Sequence, residues 1–499
     1  MKQILIQPDY QAEDIAFRHT WSGLANILQF HFLHRKDILD QLAQAHDEIG
    51  VRHVRAVGMF DDSMHVYAPD PTSCFEKGEP QPVENWSQVD IAIRHLLEIG
   101  VKPMFTTCFT PSRMASGTKS IFTRPSNVTP PRDFNRWRRF VRNAVRHMVE
   151  QFGLEEVRSW YFEVWNEPNL YSFWSSDQAE WFVLWKMTYG AIKEVDANLR
   201  VGGPSSARGE WLGDLLHYGD ANDCSPDYLI THVYNNDSES KPLSPFEGSN
   251  ADKGSKSPHF AAGVVRGVRQ MLREVGFKGE VHWNEWGASW FPYAPDRETE
   301  NEAAFIAKTM AEVSQEADFF SYWNLTDIYD HAGFGVDAFH GYYGLLNRDG
   351  LRKPGYCAHQ LLGRLGNRAL PVKVKGGDRL LNGLATCGDK GHRVLVYAYH
   401  DPHDEAALSK RQDLRVEIPL PGNWSGQARA FLIDQTRNNI LHSWRSLGSP
   451  AYPSAAQVAE LEEANKLEDS PESVEIIGNE GNTTLHLRFQ APGMALVEF

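Results

Sequence analysis

Short apolar runs alternate with amphipathic segments between about residues 15 and 360, and this alternation is the feature that most limits the possible folds. The clearest amphipathic segment repeats apolar residues at intervals of three and four, from Trp137 through Phe140 and Val141 to Met148. Strands are expected at residues 25–32, 51–59, 101–109, 159–167, 199–205, 228–234, 280–286 and 319–325. Eight strands interleaved with helices predict an α/β fold, the (β/α)8 TIM barrel.

Helices are expected between these strands at residues 35–49, 89–99, 137–149, 180–195, 260–275 and 302–315. An open, doubly wound sheet would show the same alternation and is the structural alternative. No G-x-G-x-x-G motif follows the first expected strand, so nothing supports the nucleotide-binding version of that fold.

The pattern changes after Gly366, where short strands follow one another with turns between them. Residues 393–399, 414–418 and 485–489 are expected strands, and one helix is expected at 455–465. This succession of short strands and turns predicts a smaller C-terminal β-sandwich. The predicted domains are the barrel at 12–362 and the sandwich at 366–499, to which a strand at residues 1–8 could add.

Two glutamates stand at the ends of predicted strands. The fourth strand ends in Asn166-Glu167-Pro168, and Glu285 closes the seventh. Because Pro168 disfavours helical geometry in the residue before it, Glu167 is expected in extended backbone. A TIM barrel builds its site from the carboxyl ends of its strands, so both carboxylates should meet at one rim. Glycoside hydrolysis needs such a pair, and we assign Glu167 as general acid/base and Glu285 as nucleophile.

Other polar residues at this rim are candidates for substrate binding. Asn166 could donate to the sugar hydroxyl next to the anomeric carbon. His232 and Tyr234 alternate along the sixth strand and therefore share a face, which would let Tyr234 touch Glu285. For His232 the alternative is a histidine of the barrel core. Further candidates follow the second, third and eighth strands: Asp62, Phe109, Asp330 and His331. Asp62 could instead brace its loop.

Tryptophan is abundant, with fifteen residues. Indole rings offer the flat apolar contact that a sugar ring accepts, but they also fill protein cores. Either role fits the tryptophans near strand ends, and Trp323 could form the floor under the reacting sugar. These residues are Trp165, Trp283, Trp286, Trp290 and Trp323.

No metal or cofactor is predicted. The segment His400-Asp401-Pro402-His403-Asp404 has metal-ligand residue types, but the proline and the flanking strands favour a solvated turn. The sequence contains no H-E-x-x-H, P-loop or G-x-S-x-G motif.

Charge and cysteine content limit the partners and the compartment. A net charge of −15 argues against nucleic acid or an anionic membrane as partner. The expected partner is the carbohydrate substrate that the two glutamates indicate. The five cysteines are odd in number and scattered, which favours reduced thiols. The first residues lack an apolar stretch long enough for a signal peptide, and no run approaches a membrane span. We therefore expect a cytoplasmic protein, and the oligomeric state stays open.

Several segments together give the chain a resemblance to glycoside hydrolase family 39. They are residues 54–62, 163–169, 231–234, 321–324, 339–341, 343–347 and 353–354, of which Trp165-Asn166-Glu167-Pro168-Asn169 is the most specific. The resemblance implies a retaining mechanism in which Glu285 forms a glycosyl-enzyme and Glu167 then activates water. It also implies an accessory β-sandwich and, by analogy with known members, a β-xylosidase or an exopolysaccharide hydrolase; some xylosidases of the family are tetramers.

The chain departs from the xylosidase pattern of that family in the donor-sugar pocket. Val57 replaces a sugar-binding histidine, and Asp330-His331 replaces two glutamates. Trp286-Gly287 also replaces a small polar run after the nucleophile. The sugar therefore need not be xylose.

Three functions remain open from the sequence. The first is a retaining exo-β-glycosidase acting on xylosides or related sugars. The second is an endo-acting polysaccharide hydrolase with the same carboxylate pair. The third is a catalytically silent carbohydrate-binding protein, which the intact Glu167 and Glu285 oppose.

Overall fold

The computed structural model describes residues 2–70, 81–238, 254–313, 315–331, 333–404, 411–422, 424–479 and 482–499. Eight strands form one sheet in which each pairs in parallel with the next along the chain. These barrel strands are Leu24–Gln29, His53–Val57, Lys102–Thr106, Tyr161–Glu163, Arg200–Ala207, Tyr228–Tyr234, Val281–Gly287 and Phe319–Tyr322.

Hydrogen bonds bring the eighth strand back beside the first. The Leu325 amide donates to the Asn26 carbonyl over 3.0 Å, and the Asn26 side chain donates to the Tyr322 carbonyl over 3.2 Å. The sheet is therefore a nearly closed barrel, and the predicted TIM-type fold is confirmed.

Helices connect the strands on the outside of the barrel. The apolar face of Phe134–Phe152 is buried, as its periodicity predicts, and Asp133 caps its first turn by accepting from the Asn135 and Arg136 amides. The other barrel helices are Lys36–Ile49, Ser87–Glu98, Leu154–Arg158, Gln178–Val195, Leu212–Ala221, Phe260–Glu274, Glu300–Val313 and Pro354–Gly363. Three of these helices were not predicted from the sequence: Leu154–Arg158, Leu212–Ala221 and Pro354–Gly363.

Several strands end earlier than predicted, and the fourth shows why this matters. It covers only Tyr161–Glu163 instead of residues 159–167. Beyond it the Val164 amide still bonds to the Gly202 carbonyl, but Trp165 and Glu167 take positive φ angles of 70° and 44°. The expectation of extended backbone at Glu167 is therefore wrong, because tertiary contacts override the local preference imposed by Pro168.

Two further sheets pack around a separate apolar core. One orders the strands Val372–Lys375, Lys2–Pro8, Gln412–Pro419, Asn482–Ala491 and Val474–Asn479. The other orders Ile15–Ala16, Arg368–Leu370, Leu381–Gly388, Gly391–Ala398, Gly493–Glu498 and Arg429–Ile433. Their shared core includes Ile4, Ile6, Val394, Val396 and Leu414.

These sheets form the β-sandwich of the predicted fold, with two helices, Ile440–Ser446 and Ala455–Ala464, beside it. The strand Lys2–Pro8 pairs with Val372–Lys375 and with Gln412–Pro419. Ile15–Ala16 pairs with Arg368–Leu370, so the sandwich sheets also use chain just past residue 12. The exact domain limits at 12–362 and 366–499 stay a prediction.

The sequence predicts reduced cysteines and no membrane-spanning segment. Cys108, Cys224, Cys357 and Cys387 are free and buried, and Cys74 lies outside the described residues. Within the described ranges, every helix is too short or too polar to cross a bilayer.

Candidate active site

A cavity of about 670 Å³ opens where the barrel strands end at their carboxyl side. Most of the predicted site residues line it: Asn166, Glu167, Tyr234, Glu285, Trp323 and His331. Residues from four strand ends thus meet in one concave space, which is the placement expected for a barrel enzyme.

Glu167 reaches the cavity from an irregular segment after the fourth strand. Its amide donates to the Ser205 carbonyl over 2.8 Å, and its carbonyl accepts from Leu170 over 2.9 Å. These two hydrogen bonds hold Glu167 in a left-handed backbone conformation, which is sterically unfavourable for a residue other than glycine. The side chain is buried, so the carboxyl position is set by the backbone and not by a mobile loop.

Glu285 is held by two donors on opposite oxygens. Arg55 Nη1 donates to Oε1 over 2.7 Å, and the Tyr234 hydroxyl donates to Oε2 over 2.9 Å. Because both donors favour the charged form, they oppose the effect of burial, which raises the pKa of Glu285. An ionised carboxylate with fixed orientation is what a nucleophile requires.

Arg55 is itself anchored by a second, fully buried carboxylate. Its Nε and Nη2 donate to Glu163 over 2.7 and 3.0 Å, and Nη2 also reaches Asn166 Oδ1 at 2.6 Å. Glu163 also accepts from Thr106 over 2.8 Å and from Asn284 over 3.0 Å. Burial opposes ionisation of Glu163, but the Arg55 guanidinium outweighs it and lowers the pKa of this carboxyl.

His232 lies behind Glu167 and touches both candidate carboxyls. Its Nδ1 is 3.0 Å from Glu167 Oε1 and 3.6 Å from Glu285 Oε2, and its Nε2 is 3.2 Å from the Ser205 hydroxyl. Burial lowers the pKa of His232 to about 4, so the ring is neutral at physiological pH.

Among the described residues, Glu167 is paired with His232, whose ring is neutral. Burial raises the pKa of its carboxyl to about 7, while Arg55 and Arg208 lower it by smaller amounts from a distance. In the part of the chain that the structure describes, Glu285 is therefore bonded to a guanidinium, whereas Glu167 is bonded to an imidazole. That asymmetry favours an ionised Glu285 beside a protonated Glu167.

The two carboxyls lie close together. One oxygen of each, together with a ring nitrogen of His232, falls within 4.8 Å of the others. Retaining glycosidases separate their carboxyls by roughly 5–5.5 Å, and inverting enzymes need about 6.5–9.5 Å to admit a water. The geometry fits direct attack on the anomeric carbon.

Four predicted substrate-binding residues are absent from the described lining of the cavity, and one of them, His232, lies behind Glu167 as described above. Asp62 is exposed and accepts from the Ser112 amide over 3.1 Å, which braces its loop. Phe109 is buried, with its ring centroid 6.2 Å from that of Phe122, which does line the cavity. The Asp330 carboxylate turns toward Arg124 at 3.9 Å.

The tryptophans divide between the two roles expected for them. Trp323 and Trp290 line the cavity, and Trp290 is half exposed. Trp165, Trp283 and Trp286 are fully buried and belong to the barrel core.

Sequence reasoning gave no role to Arg55 or Glu163. A signal was present, because each is a charged residue inside a short apolar strand, and a buried charge requires a partner. Tyr343 and Leu28 in the cavity wall, and His403 contributed by the sandwich unit, carried no such signal. Leu28 lies in the first barrel strand and the other two in loops, and the three come together only in the folded protein.

Two groups of described residues could approach a metal with three ligands. The first is Glu167, His232 and Glu285, whose ligand atoms already serve the contacts above. The second is Glu298, Asp327 and His340. There the Lys353 ammonium lies 3.0 Å from Glu298 and 2.5 Å from Asp327, in the position of a cation. Neither group is assigned to a metal, and the predicted lack of a metal stays a prediction.

Comparison with known proteins identifies the family. The sequence model described as "Glycosyl hydrolases family 39" matches residues 3–481. The chain belongs to glycosyl hydrolase family 39. It is therefore a glycoside hydrolase, and its substrates are carbohydrates.

Individual members of the family are similar over nearly the full length. The chain is 32% identical over 449 residues to a β-xylosidase of Caldicellulosiruptor saccharolyticus, covering 89% of this chain and 88% of that one. It is 29% identical over 453 residues to a β-xylosidase of Geobacillus stearothermophilus, covering 90% and 86%. Among solved structures, a monomeric β-xylosidase of Caulobacter crescentus CB15 aligns with a TM-score of 0.83 and 27% identity over 99% of both chains.

Proposed function

We propose that this glycoside hydrolase is a retaining exo-β-glycosidase. β-Xylosides are the first substrates to test. Glu167 is the general acid/base and Glu285 the nucleophile. The observation that carries the proposal is the pair of closely spaced carboxyls, of which Glu285 is bonded to the Arg55 guanidinium. The similarity to β-xylosidases over most of the chain supports the choice of sugar.

The reaction follows from the positions of these groups. Glu285 attacks the anomeric carbon while Glu167 gives its proton to the leaving-group oxygen, and a glycosyl-enzyme forms with inversion. Glu167, now ionised, takes a proton from water, which attacks the same carbon and inverts it again. Asn166 is held by Arg55 beside the pair and is the candidate donor to the neighbouring sugar hydroxyl.

The sugar itself is less constrained than the mechanism. Leu28, Val57 and Phe122 contribute apolar side chains to the cavity lining. His331 also lines the cavity, with its Nδ1 2.9 Å from the Tyr329 hydroxyl. Because apolar side chains cannot bond to sugar hydroxyls, related sugars with fewer hydroxyls belong in the same test panel as xylose.

The cavity lining also includes Trp290, which is half exposed, together with Lys256 and His403. An indole face suits the ring of a second sugar. We infer that the natural leaving group is itself a sugar, which a p-nitrophenyl ring can replace.

The decisive experiment compares the wild type with Glu285→Ala on p-nitrophenyl β-D-xyloside and related glycosides. The variant should lose turnover, and azide should restore it with an α-glycosyl azide as product. Glu274→Ala, at an exposed position on the helix Phe260–Glu274, is the matched control and should keep full activity. If Glu285→Ala turned over substrate at the wild-type rate, or if the azide product had the β configuration, the assignment would be overturned.

A further inference from the structure

A chain of contacts links the buried Glu163 to the candidate acid/base. The Ser205 hydroxyl contacts Glu163 Oε1 at short range and also lies 3.2 Å from His232 Nε2. The other ring nitrogen of His232, Nδ1, is 3.0 Å from Glu167 Oε1. We call Glu163, Ser205, His232 and Glu167 the Glu163 relay. Ser205 and His232 in it are wholly buried, so water cannot substitute for a missing partner.

The donor and acceptor roles along the relay follow from elementary rules. Glu163, bonded twice to Arg55, is ionised and can only accept, so the Ser205 hydroxyl must give it its single proton. The Ser205 oxygen is then left as an acceptor toward His232, which requires the proton of the neutral ring to sit on Nε2. Nδ1 consequently carries a lone pair. Only a protonated Glu167 can donate to it.

We propose that the Glu163 relay fixes the tautomer of His232 and thereby stores the catalytic proton on Glu167 in the free enzyme. Ser205 and Glu163 are thus positioning residues that act through His232. The inference rests on the proposed role of Glu167, but the tautomer of His232 can be measured without any substrate. When Glu167 gives its proton to the leaving group, its new charge faces the Nδ1 lone pair, which favours recovery of a proton from the attacking water.

Other charged and titratable groups lie near Glu167 and His232. They influence the charge of these two residues but do not determine which ring nitrogen of His232 carries the proton. These groups are Arg55, Arg208, Tyr234, Asp237, Glu285 and Tyr343. The Ser205 hydroxyl contacts Nε2 of His232, and this contact selects between the two ring nitrogens.

The test uses Ser205→Ala, with Ser206→Ala on the same strand as the control. Without the hydroxyl, His232 is free to carry its proton on Nδ1 and donate to an ionised Glu167. The pKa of Glu167 should fall, and the alkaline limb of kcat/KM should move to lower pH by about one unit. Ser206 bonds to the Glu210 carbonyl and lies outside the relay, so its removal should leave both limbs in place.

A second readout is independent of activity. In ¹⁵N-histidine-labelled enzyme, the His232 signals, assigned by their loss in His232→Gln, should show Nε2–H in the wild type and Nδ1–H in Ser205→Ala. An Nδ1–H tautomer in the wild type would overturn the relay, and so would an unshifted alkaline limb in a folded Ser205→Ala variant. If the tautomer is as stated but no glycoside is turned over, the relay stands and the proposed function fails.

Discussion

Arg55 Nη1 donates to Oε1 of Glu285 over 2.7 Å, and almost no solvent reaches either side chain. A charge-assisted bond of this kind, with water excluded, stabilises the carboxylate that the first displacement needs. The same guanidinium forms an ion pair with Glu163, so the position of Arg55 is fixed before substrate binds.

Arg55→Lys tests this arrangement. Lysine keeps the charge but lacks the planar guanidinium group, which donates hydrogen bonds to Glu163, Glu285 and Asn166. We expect kcat to fall about tenfold to a hundredfold, with the acid limb of kcat/KM moved to higher pH because Glu285 loses stabilisation of its charged form. Arg52→Lys, at an exposed position three residues earlier, is the control. An unchanged acid limb in Arg55→Lys would contradict the role given to the arginine.

The pH profile of the wild type should be bell-shaped. Glu167 is active as an acid only when protonated, and burial raises its pKa to about 7, so kcat/KM should fall tenfold per unit above that pH. For Glu167→Ala, measured with an activated aryl glycoside, the alkaline limb should disappear. A wild-type rate that stays constant from pH 7 to 9 would show that another group supplies the proton.

Tyr234→Phe removes the second donor to Glu285, a bond of 2.9 Å. Hydrogen bonds to charged groups are worth about 1.5–3 kcal/mol, so kcat should drop about tenfold to a hundredfold. KM should change less, because the bond acts on the nucleophile and not on the sugar. Tyr189→Phe on the helix Gln178–Val195 is a control with the same chemical change. Equal kinetics in the two variants would remove Tyr234 from the mechanism.

Lys353→Met should destabilise the fold without touching the cavity. Its ammonium is buried between Glu298 and Asp327, and removing it leaves two buried carboxyls uncompensated. We expect a loss of about 3–5 kcal/mol in the free energy of unfolding by urea. Lys36→Met breaks an exposed pair with Asp40 and should cost less than about 0.5 kcal/mol. Similar losses for both lysines would mean that the buried cluster contributes little.

Much of the fold was predictable because it is encoded in local periodicity. The helix Phe134–Phe152 buries the apolar face that its sequence displays, and Tyr228–Tyr234 begins and ends where its apolar run does. Strand ends were less predictable. Glu163 ends the fourth strand four residues before Glu167, because the chain there turns to bond with Ser205, a residue that is distant in sequence.

The sequence by itself determined the (β/α)8 alternation, the two carboxylates at strand ends and the family to which the chain belongs. Only the tertiary structure decided which polar groups meet. Arg55, Glu163, Ser205 and His232 come from four different strands, and barrel closure brings them within hydrogen-bond distance. It also turned Asp330 and Phe109 away from the cavity and placed Leu28 and His403 in its lining. Periodicity reports which face of a strand is buried, whereas the partner of a buried charge depends on how strands far apart in the chain are packed.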